Sequence, residues 1–317
     1  MAETQKASKE PKHPIQVVAR RTGLTADLLR VWEKRYEAVS PGRSATSRRL
    51  YSDADVHRLL LLRRATLGGR RIGQVANLST EELEALVASD EAAAAAAPRA
   101  PGAARSRAPK NSHLAACLDA VKSLDADALE AALSGAAVAL GTPELTRAVL
   151  VPLMETIGDD WRDGKTRVFE EHLASAMVRS VLGALRVAQT PEPGAPELIV
   201  TTPSGQVHEI GALMAASMAA SQGWKVTYLG PNLPAEEIVA AAERRGARAV
   251  ALSVVFPADD ARLYDELRKL RRLLPDRVQI LVGGRASGGL DRVVPEIRLV
   301  ADLSTLLDTL EELRRSH

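Results

Sequence analysis

The sequence predicts a multidomain chain of α and α/β parts: a helix-turn-helix module with a wing, a four-helix bundle, and a doubly wound parallel sheet. Three observations carry that reading. Apolar residues recur at helical spacing through residues 13–88 and again through 112–190. Between these blocks lies a low-complexity run of Ala, Pro, Gly and Arg that matches neither. From residue 196 to 317, strand-like apolar runs alternate with helical segments.

The first block is basic. Residues 1–80 hold 16 Lys and Arg against 7 Asp and Glu, a balance of +9, so the remainder carries −7 against the total of +2. A basic module on a mildly acidic body suggests a nucleic-acid contact at one end. Val17, Val18, Leu24, Leu28 and Leu29 supply a small core for two short helices, with Thr22-Gly23 as the turn between them. Thr25 is placed to cap the second helix, with Asp27 in its first turn. In this motif the second helix enters the major groove, and its outward residues here include Arg30, Lys34 and Arg35, with Tyr36 at its end. A second cluster, Arg43, Arg48 and Arg49 followed by Leu50-Tyr51, forms a wing able to touch phosphates. One such cluster is ordinarily a solvated face; two flanking one helix pair favour DNA.

Residues 89–111 read as a flexible linker, because Pro98, Pro101, Gly102 and Pro109 prevent the alanines from extending a long helix. Residues 112–190 fit about four antiparallel helices, with breaks at Gly141-Thr142-Pro143 and between Gly158 and Gly164. Inside this bundle Trp161 is followed ten residues later by Glu171-His172, a polar pair that a bundle core would not hold without a purpose. The plain alternative is a packed tryptophan and a surface pair. A second short linker, Pro191 to Pro196, precedes strands expected at Leu198–Thr201, Lys225–Leu229, Arg248–Val254 and Val278–Val282.

The loop after the first of these strands, Gly205-Gln206-Val207-His208-Glu209-Ile210-Gly211, puts a histidine where ligands bind in open α/β sheets. Gly211 lets a bulky ligand approach the backbone, and neutral imidazole is the commonest metal ligand. A solvated loop histidine is the competing account. Gly283-Gly284 closes the fourth strand at the same end. Cys117 is the only cysteine, which excludes a disulfide framework and a thiolate metal cluster. No apolar run reaches the roughly 20 residues that span a bilayer, and the polar N-terminus lacks a signal-peptide core. A cytoplasmic protein with no membrane association is expected.

The string from Leu28 to Gly69 resembles the winged helix-turn-helix of MerR-type regulators, through Arg30, Trp32, Glu33, Arg35, Tyr36, Pro41, Arg43, Arg49, Leu50, Tyr51, Asp55, Val56 and Leu59. It departs at Glu37, where the family usually has Gly, and at Thr46-Ser47-Arg48 in the wing. The Trp161 and Glu171-His172 spacing resembles the W-x9-EH motif of the CarH/LitR-like cobalamin-binding photoreceptor family. In that family the motif lies in a four-helix cap above a bound cobalamin. The 206–211 string stands where the family reads ExHxxG, Ser253-Val254-Val255 at its SxL position, and Gly283-Gly284 at its GG position.

That resemblance implies a Rossmann-like cobalamin-binding domain with His208 as the lower axial ligand to cobalt. Trp161, Glu171 and His172 would face the upper side, His172 being a candidate upper ligand after light. Ser253, Val255, Gly283 and Gly284 would line the channel for the nucleotide tail, while Gln206 and Gly211 belong to the loop that carries the histidine to the cofactor. The implied function is a light-responsive transcriptional repressor that uses adenosylcobalamin and binds double-stranded operator DNA as a homo-oligomer, dimer or tetramer. Gln206 replaces a carboxylate that would orient the histidine, a change of a kind that weakens metal affinity on the order of 10–100-fold. Two alternatives follow: a pocket reassigned to a linear tetrapyrrole such as biliverdin, or a ligand-free regulator controlled by a protein partner. An enzyme is not expected, since a substrate barrel of roughly 250 residues has no room here and no catalytic constellation is present.

Overall fold

The computed structural model describes residues 8, 10–44, 48–96, 110–189, 191–256 and 260–315. The chain divides into two compact units, Met1–Ala188 and Gln189–His317.

The first unit begins with β1 (His13–Pro14), α1 (Ile15–Thr22) and α2 (Ala26–Tyr36). Gly23, at φ 70°, closes α1, and the Thr25 hydroxyl accepts from the Leu28 N–H to open α2, as its position in the sequence requires. Then come β2 (Gly42–Arg43) and β3 (Arg49–Tyr51), which complete a small antiparallel sheet of order β1-β3-β2. A capping box between Ser52 and Asp55 starts α3 (Asp53–Leu67), followed by α4 (Ile72–Val75) and α5 (Thr80–Ala96). Glu37 has φ 50°, so the position where the family usually carries Gly does demand a left-handed backbone. The wing departure at Thr46-Ser47 lies outside the described residues; Arg48 beside it donates its N–H to the Ser44 hydroxyl.

The expected linker starts later than residue 89. Helix α5 runs on to Ala96, because alanine is the best helix former. Arg64 and Arg70 on the α3 side pair with Glu91 and Asp90 and hold its last turns. The remaining part of that stretch, residues 97–109, lies outside the described residues. The bundle consists of α6 (Lys110–Lys122), α7 (Ala126–Leu140), α8 (Thr142–Leu145), a π-helical turn (Thr146–Leu150), α9 (Val151–Arg162) and α10 (Val168–Ala188). The segments from Thr142 to Arg162 follow one another without a break, so among the described residues the bundle has four helical stretches. The break at Gly141 is real, with φ 74°. The second break lies nearer its far end than expected: Gly158 is carried inside α9, and the chain turns only after Arg162.

In the second unit β4 (Glu197–Thr201), α11 (Ile210–Ser221), β5 (Lys225–Tyr228), α12 (Ala235–Arg245), β6 (Ala249–Ser253), α13 (Ala261–Leu273), β7 (Gln279–Gly283), α14 (Leu290–Val293), β8 (Ile297–Val300) and α15 (Leu303–Arg315) alternate. The five strands are parallel, in the order β5-β4-β6-β7-β8. Alternate residues serve opposite faces: Ile199, Val250 and Ile280 pack on α12 and α13, whereas Leu198, Ala249 and Leu281 pack on α11 and α15. The strand order reverses between β4 and β6, the chain winding outward from β4 to β5 and then back past it to β6, so the crevice for a ligand lies beyond their carboxyl ends. Four strands match the sequence expectation, and β8 is an addition. Among the described residues, no helix is long and apolar enough to cross a membrane.

Glu197 opens β4 as a buried carboxylate. It accepts from Thr227 Oγ1 at 2.5 Å and from Arg245 at 3.0 and 3.1 Å, with Lys225 at 3.3 Å. Burial pushes its carboxyl up, but the bonds from Thr227, Arg245 and Lys225 prevail and leave it below its ordinary value. Glu197→Ala is expected to lower stability by about 1–3 kcal/mol at neutral pH. The folded carboxyl titrates below the unfolded one, so its contribution is full above about pH 4.3 and disappears as pH falls through the folded value. Denaturant melts of both proteins at pH 7 and pH 3 check this: the gap must narrow in acid.

Candidate functional site

The loop after β4 is pinned to its neighbours by side chains from the strand ends. Thr201 Oγ1 donates to Gly230 O at 2.6 Å, the Asn232 N–H donates to Thr202 Oγ1 at 2.8 Å, and the Gly205 N–H donates to Asn232 Oδ1 at 2.8 Å. Asn232 itself sits at φ 63°, a conformation asparagine tolerates. These ties hold the turn on which His208 is presented, exposed to solvent, between Gln206 and Glu209. Glu209 accepts from the Tyr228 hydroxyl at 2.5 Å, which anchors the start of α11 to the end of β5. Gln206 points inward: it is buried, and its Oε1 accepts from the N–H groups of Val255 and Phe256 at 3.0 and 3.1 Å.

Behind the turn, the start of α11 and the loops after β4, β6 and β7 meet along a narrow, closely packed slot. Ser253, at the end of β6, has a buried hydroxyl with no hydrogen-bond partner. An unsatisfied buried hydroxyl costs about 1–3 kcal/mol, so this oxygen is an unanswered polar group facing the slot. Gly211 faces it: a Cβ there would lie 2.7 Å from Ser253 Oγ. On the neighbouring loop Gly284 has φ 104°, and a Cβ on it would lie 2.4 Å from the Val254 carbonyl oxygen. Gly283 lies against Val300 O, 3.1 Å from where its Cβ would be. The glycines are thus positions of close backbone approach. The sequence-predicted residues Gln206, His208, Gly211, Ser253, Val255, Gly283 and Gly284 all converge on the switch-point end of the sheet. Two exposed apolar side chains beside them, Val207 at 62% and Phe256 at 66%, were not anticipated.

In the first unit, Trp161 closes α9 and Glu171-His172 stand near the start of α10. Trp161 is 53% exposed, and the adjacent Val168 and Phe169 are exposed as well, so this hairpin carries large apolar side chains to solvent. Arg167 stacks on the Phe169 ring, 5.6 Å from its centre. Glu171 accepts from the Ser175 hydroxyl at 2.5 Å and lies 3.7 Å from the exposed His172 imidazole. The tryptophan is therefore a surface residue rather than a packed one.

The basic face of the N-terminal module is only partly as expected. Lys34, Arg35, Arg43 and Arg48 are exposed, and Arg35 stacks on Tyr36 at 5.4 Å. Burial raises the Tyr36 phenol above its ordinary value. Arg30 pairs with Asp27 at 3.1 Å. Two residues taken for DNA contacts turn inward instead. Arg49 Nε donates to both oxygens of Glu33, at 2.9 and 2.7 Å, and Tyr51 is wholly buried with its hydroxyl donating to the same carboxylate at 3.4 Å. Glu33 lies 16 residues before Arg49, so the basic cluster was legible but its internal partner was not. Both residues fasten the wing to α2. Opposite the module's own core, Leu28 and Val31 of α2 are buried beside Leu133, Ala137 and Leu185 of the bundle. Thr142 Oγ1 donates to Asp27 at 3.4 Å, and Arg71 lies 3.7 Å from Glu130.

Comparison with known proteins agrees with this order of parts. A model described as "MerR HTH family regulatory protein" matches residues 14–82, and two described as "B12 binding domain" match 114–186 and 196–289. The HTH-type transcriptional repressor CarH of Myxococcus xanthus is 31% identical over 278 residues, covering 88% of this chain and 90% of that protein. The repressor CarA of the same organism is 32% identical over 275 residues, 85% of each. Among solved structures, the monomethylamine corrinoid protein of Methanosarcina barkeri aligns with a TM-score of 0.54 at 17% identity, over 64% of this chain and 99% of that one. That last likeness is one of fold.

Proposed function

The chain belongs to the MerR-type transcriptional regulators that include the repressors CarH and CarA, and from that premise we propose that it is a light-responsive repressor controlled by adenosylcobalamin. The observation that carries the reading is the slot at the switch point. A buried hydroxyl without a partner faces a glycine there, and an exposed imidazole stands at its rim. Those residues fit a corrinoid: His208 would hold the cobalt, while Gly211, Ser253, Val255, Gly283 and Gly284 would receive the nucleotide tail. The exposed Trp161, with Glu171 and His172 beside it in the sequence, would also help to hold the corrinoid, His172 being a second side chain that could ligate the cobalt. Bound adenosylcobalamin supplies a cobalt–carbon bond that light cleaves.

The DNA end supports the same reading. Lys34, Arg35, Arg43 and Arg48 give α2 and the wing an exposed positive face, and one module reads only a half-site, so operator DNA is bound by a homo-oligomer. The ligand acts by biasing a two-state assembly through different contacts in each state. The chain works in the cytoplasm and carries out no catalysis of its own.

The test is direct. Purified protein is offered adenosylcobalamin and biliverdin in the dark, then sized and assayed against duplex DNA selected on it, before and after illumination. A cobalt-corrin spectrum that light changes, with loss of assembly and of DNA binding, is the expected result. Uptake of biliverdin alone, or of neither, overturns it in favour of a linear tetrapyrrole or of control by a protein partner. Separately, Arg35→Ala is expected to weaken DNA binding and to lower the slope of log affinity against log salt by about 1, with corrinoid uptake unchanged. Undiminished DNA affinity would remove α2 from the groove.

A further inference from the structure

Gln206 stands two residues ahead of His208, at the place where a carboxylate orienting the ring is expected. Its geometry serves something else. The residue is 1% exposed, and its side-chain oxygen receives the Val255 N–H at 3.0 Å and the Phe256 N–H at 3.1 Å. An amide oxygen has two lone pairs, and both are taken. The backbone of Gln206 is held too: its N–H donates to Pro203 O at 3.0 Å, and its carbonyl accepts from the Thr202 hydroxyl. The side chain therefore joins a fixed point on the loop after β4 to the loop after β6.

Those two loops are walls of the slot containing Gly211 and the unpartnered Ser253 hydroxyl. The third wall is tied on as well. The Val254 N–H donates to Gly283 O at 2.8 Å and the Ala286 N–H donates to Val254 O at 3.0 Å. One run of bonds thus passes from the histidine loop through Gln206 to residues 254–256 and on to the Gly-Gly loop. We infer that Gln206 is a positioning residue that sets the width of the slot for a corrinoid's nucleotide tail, and not a partner that orients the His208 ring. The inference rests on the corrinoid reading above. It also revises the expectation for a carboxylate at this position. Glu in place of Gln would accept from the same two amides through one oxygen and would set a second acceptor where the amide nitrogen stands, so the Glu variant tests directly whether an added acceptor orients the histidine.

The experiment compares the full-length wild type with Gln206→Met, which keeps the side-chain length but removes the acceptor, and Gln206→Glu, which keeps it. Hydroxocobalamin and cobinamide, the latter lacking the nucleotide tail, are the ligands for equilibrium dialysis. Backbone hydrogen exchange at residues 255 and 256 is followed in the ligand-free proteins. Gln206→Met should speed that exchange by roughly tenfold, the scale of losing one or two hydrogen bonds. It should also weaken hydroxocobalamin by about tenfold while leaving cobinamide within about twofold. Gln206→Glu should stay within about threefold of wild type for both ligands, the acceptor being retained. Equal loss of both ligands in the Met variant, or tightening of both in the Glu variant, overturns the inference in favour of an orienting role. Unchanged exchange at 255 and 256 in the Met variant overturns it as well. If Gln206→Met does not fold, Gln206→Asn withdraws the oxygen from the same amides and takes its place. Wild-type protein that takes up neither corrinoid defeats the corrinoid reading itself, whereas the exchange data still decide whether Gln206 ties the loops.

Discussion

His208→Ala is expected to weaken hydroxocobalamin and cobinamide alike, by more than the roughly 100-fold that loss of a metal ligand's outer partner can reach. The imidazole stands exposed on a turn pinned by Thr202 and Asn232, so its removal leaves the turn itself intact. Glu209 is engaged by the Tyr228 hydroxyl, and among the described residues no group of three or more His, Cys, Asp or Glu side chains could hold a metal. Because His208 is exposed, thermal stability without ligand should change by less than about 0.5 kcal/mol. Equilibrium dialysis and a melt on the same sample check both halves. Unaltered corrinoid retention would strike His208 from the site, and a large loss of stability would mean that the side chain supports the fold instead.

What the sequence disclosed follows from how each feature is encoded. Buried parallel strands are continuous apolar runs, so β4, β6 and β7 are visible within a residue or two; β5 at one edge is only partly buried and shows through the alternation of Val226 and Tyr228 with polar residues. The edge strand β8 is short and carries the exposed Arg298 opposite its apolar residues, and that alternation over four residues has no distinctive signature. The alanines after residue 90 looked like linker by composition, yet composition cannot show that Arg70 and Arg64 reach across to Asp90 and Glu91. The site has the same division. Its motif spacings are local, and they placed His208, Ser253 and the Gly-Gly pair on one sheet end. The partners of Gln206 lie 49 and 50 residues further on, so the role of that side chain was invisible until the two loops were brought together. The inward pairing of Arg49 and Tyr51 escapes the sequence for the same reason, their common partner Glu33 being on another element.

Gly284→Ala is expected to destabilise the second unit by about 2–6 kcal/mol, combining left-handed strain with overpacking. Its φ of 104° is one that residues with a Cβ rarely adopt, and the added carbon would lie 2.4 Å from Val254 O and 3.0 Å from Val254 N. Both atoms belong to backbone that bonds back to Gly283 and Ala286, so neither can move without breaking a tie between two walls of the slot. Gly211→Ala is the informative contrast. Its Cβ would meet the Ser253 hydroxyl at 2.7 Å, and a serine side chain can rotate away. Its φ also belongs to an ordinary helix, so the stability change should stay within about 1–2 kcal/mol. The slot, however, would be filled, and hydroxocobalamin should be lost while cobinamide is kept. Urea melts and dialysis of the two variants separate a glycine needed for folding from one needed for entry of the tail. Wild-type stability in Gly284→Ala would refute the close approach of the β6 and β7 loops, on which the width of the slot depends.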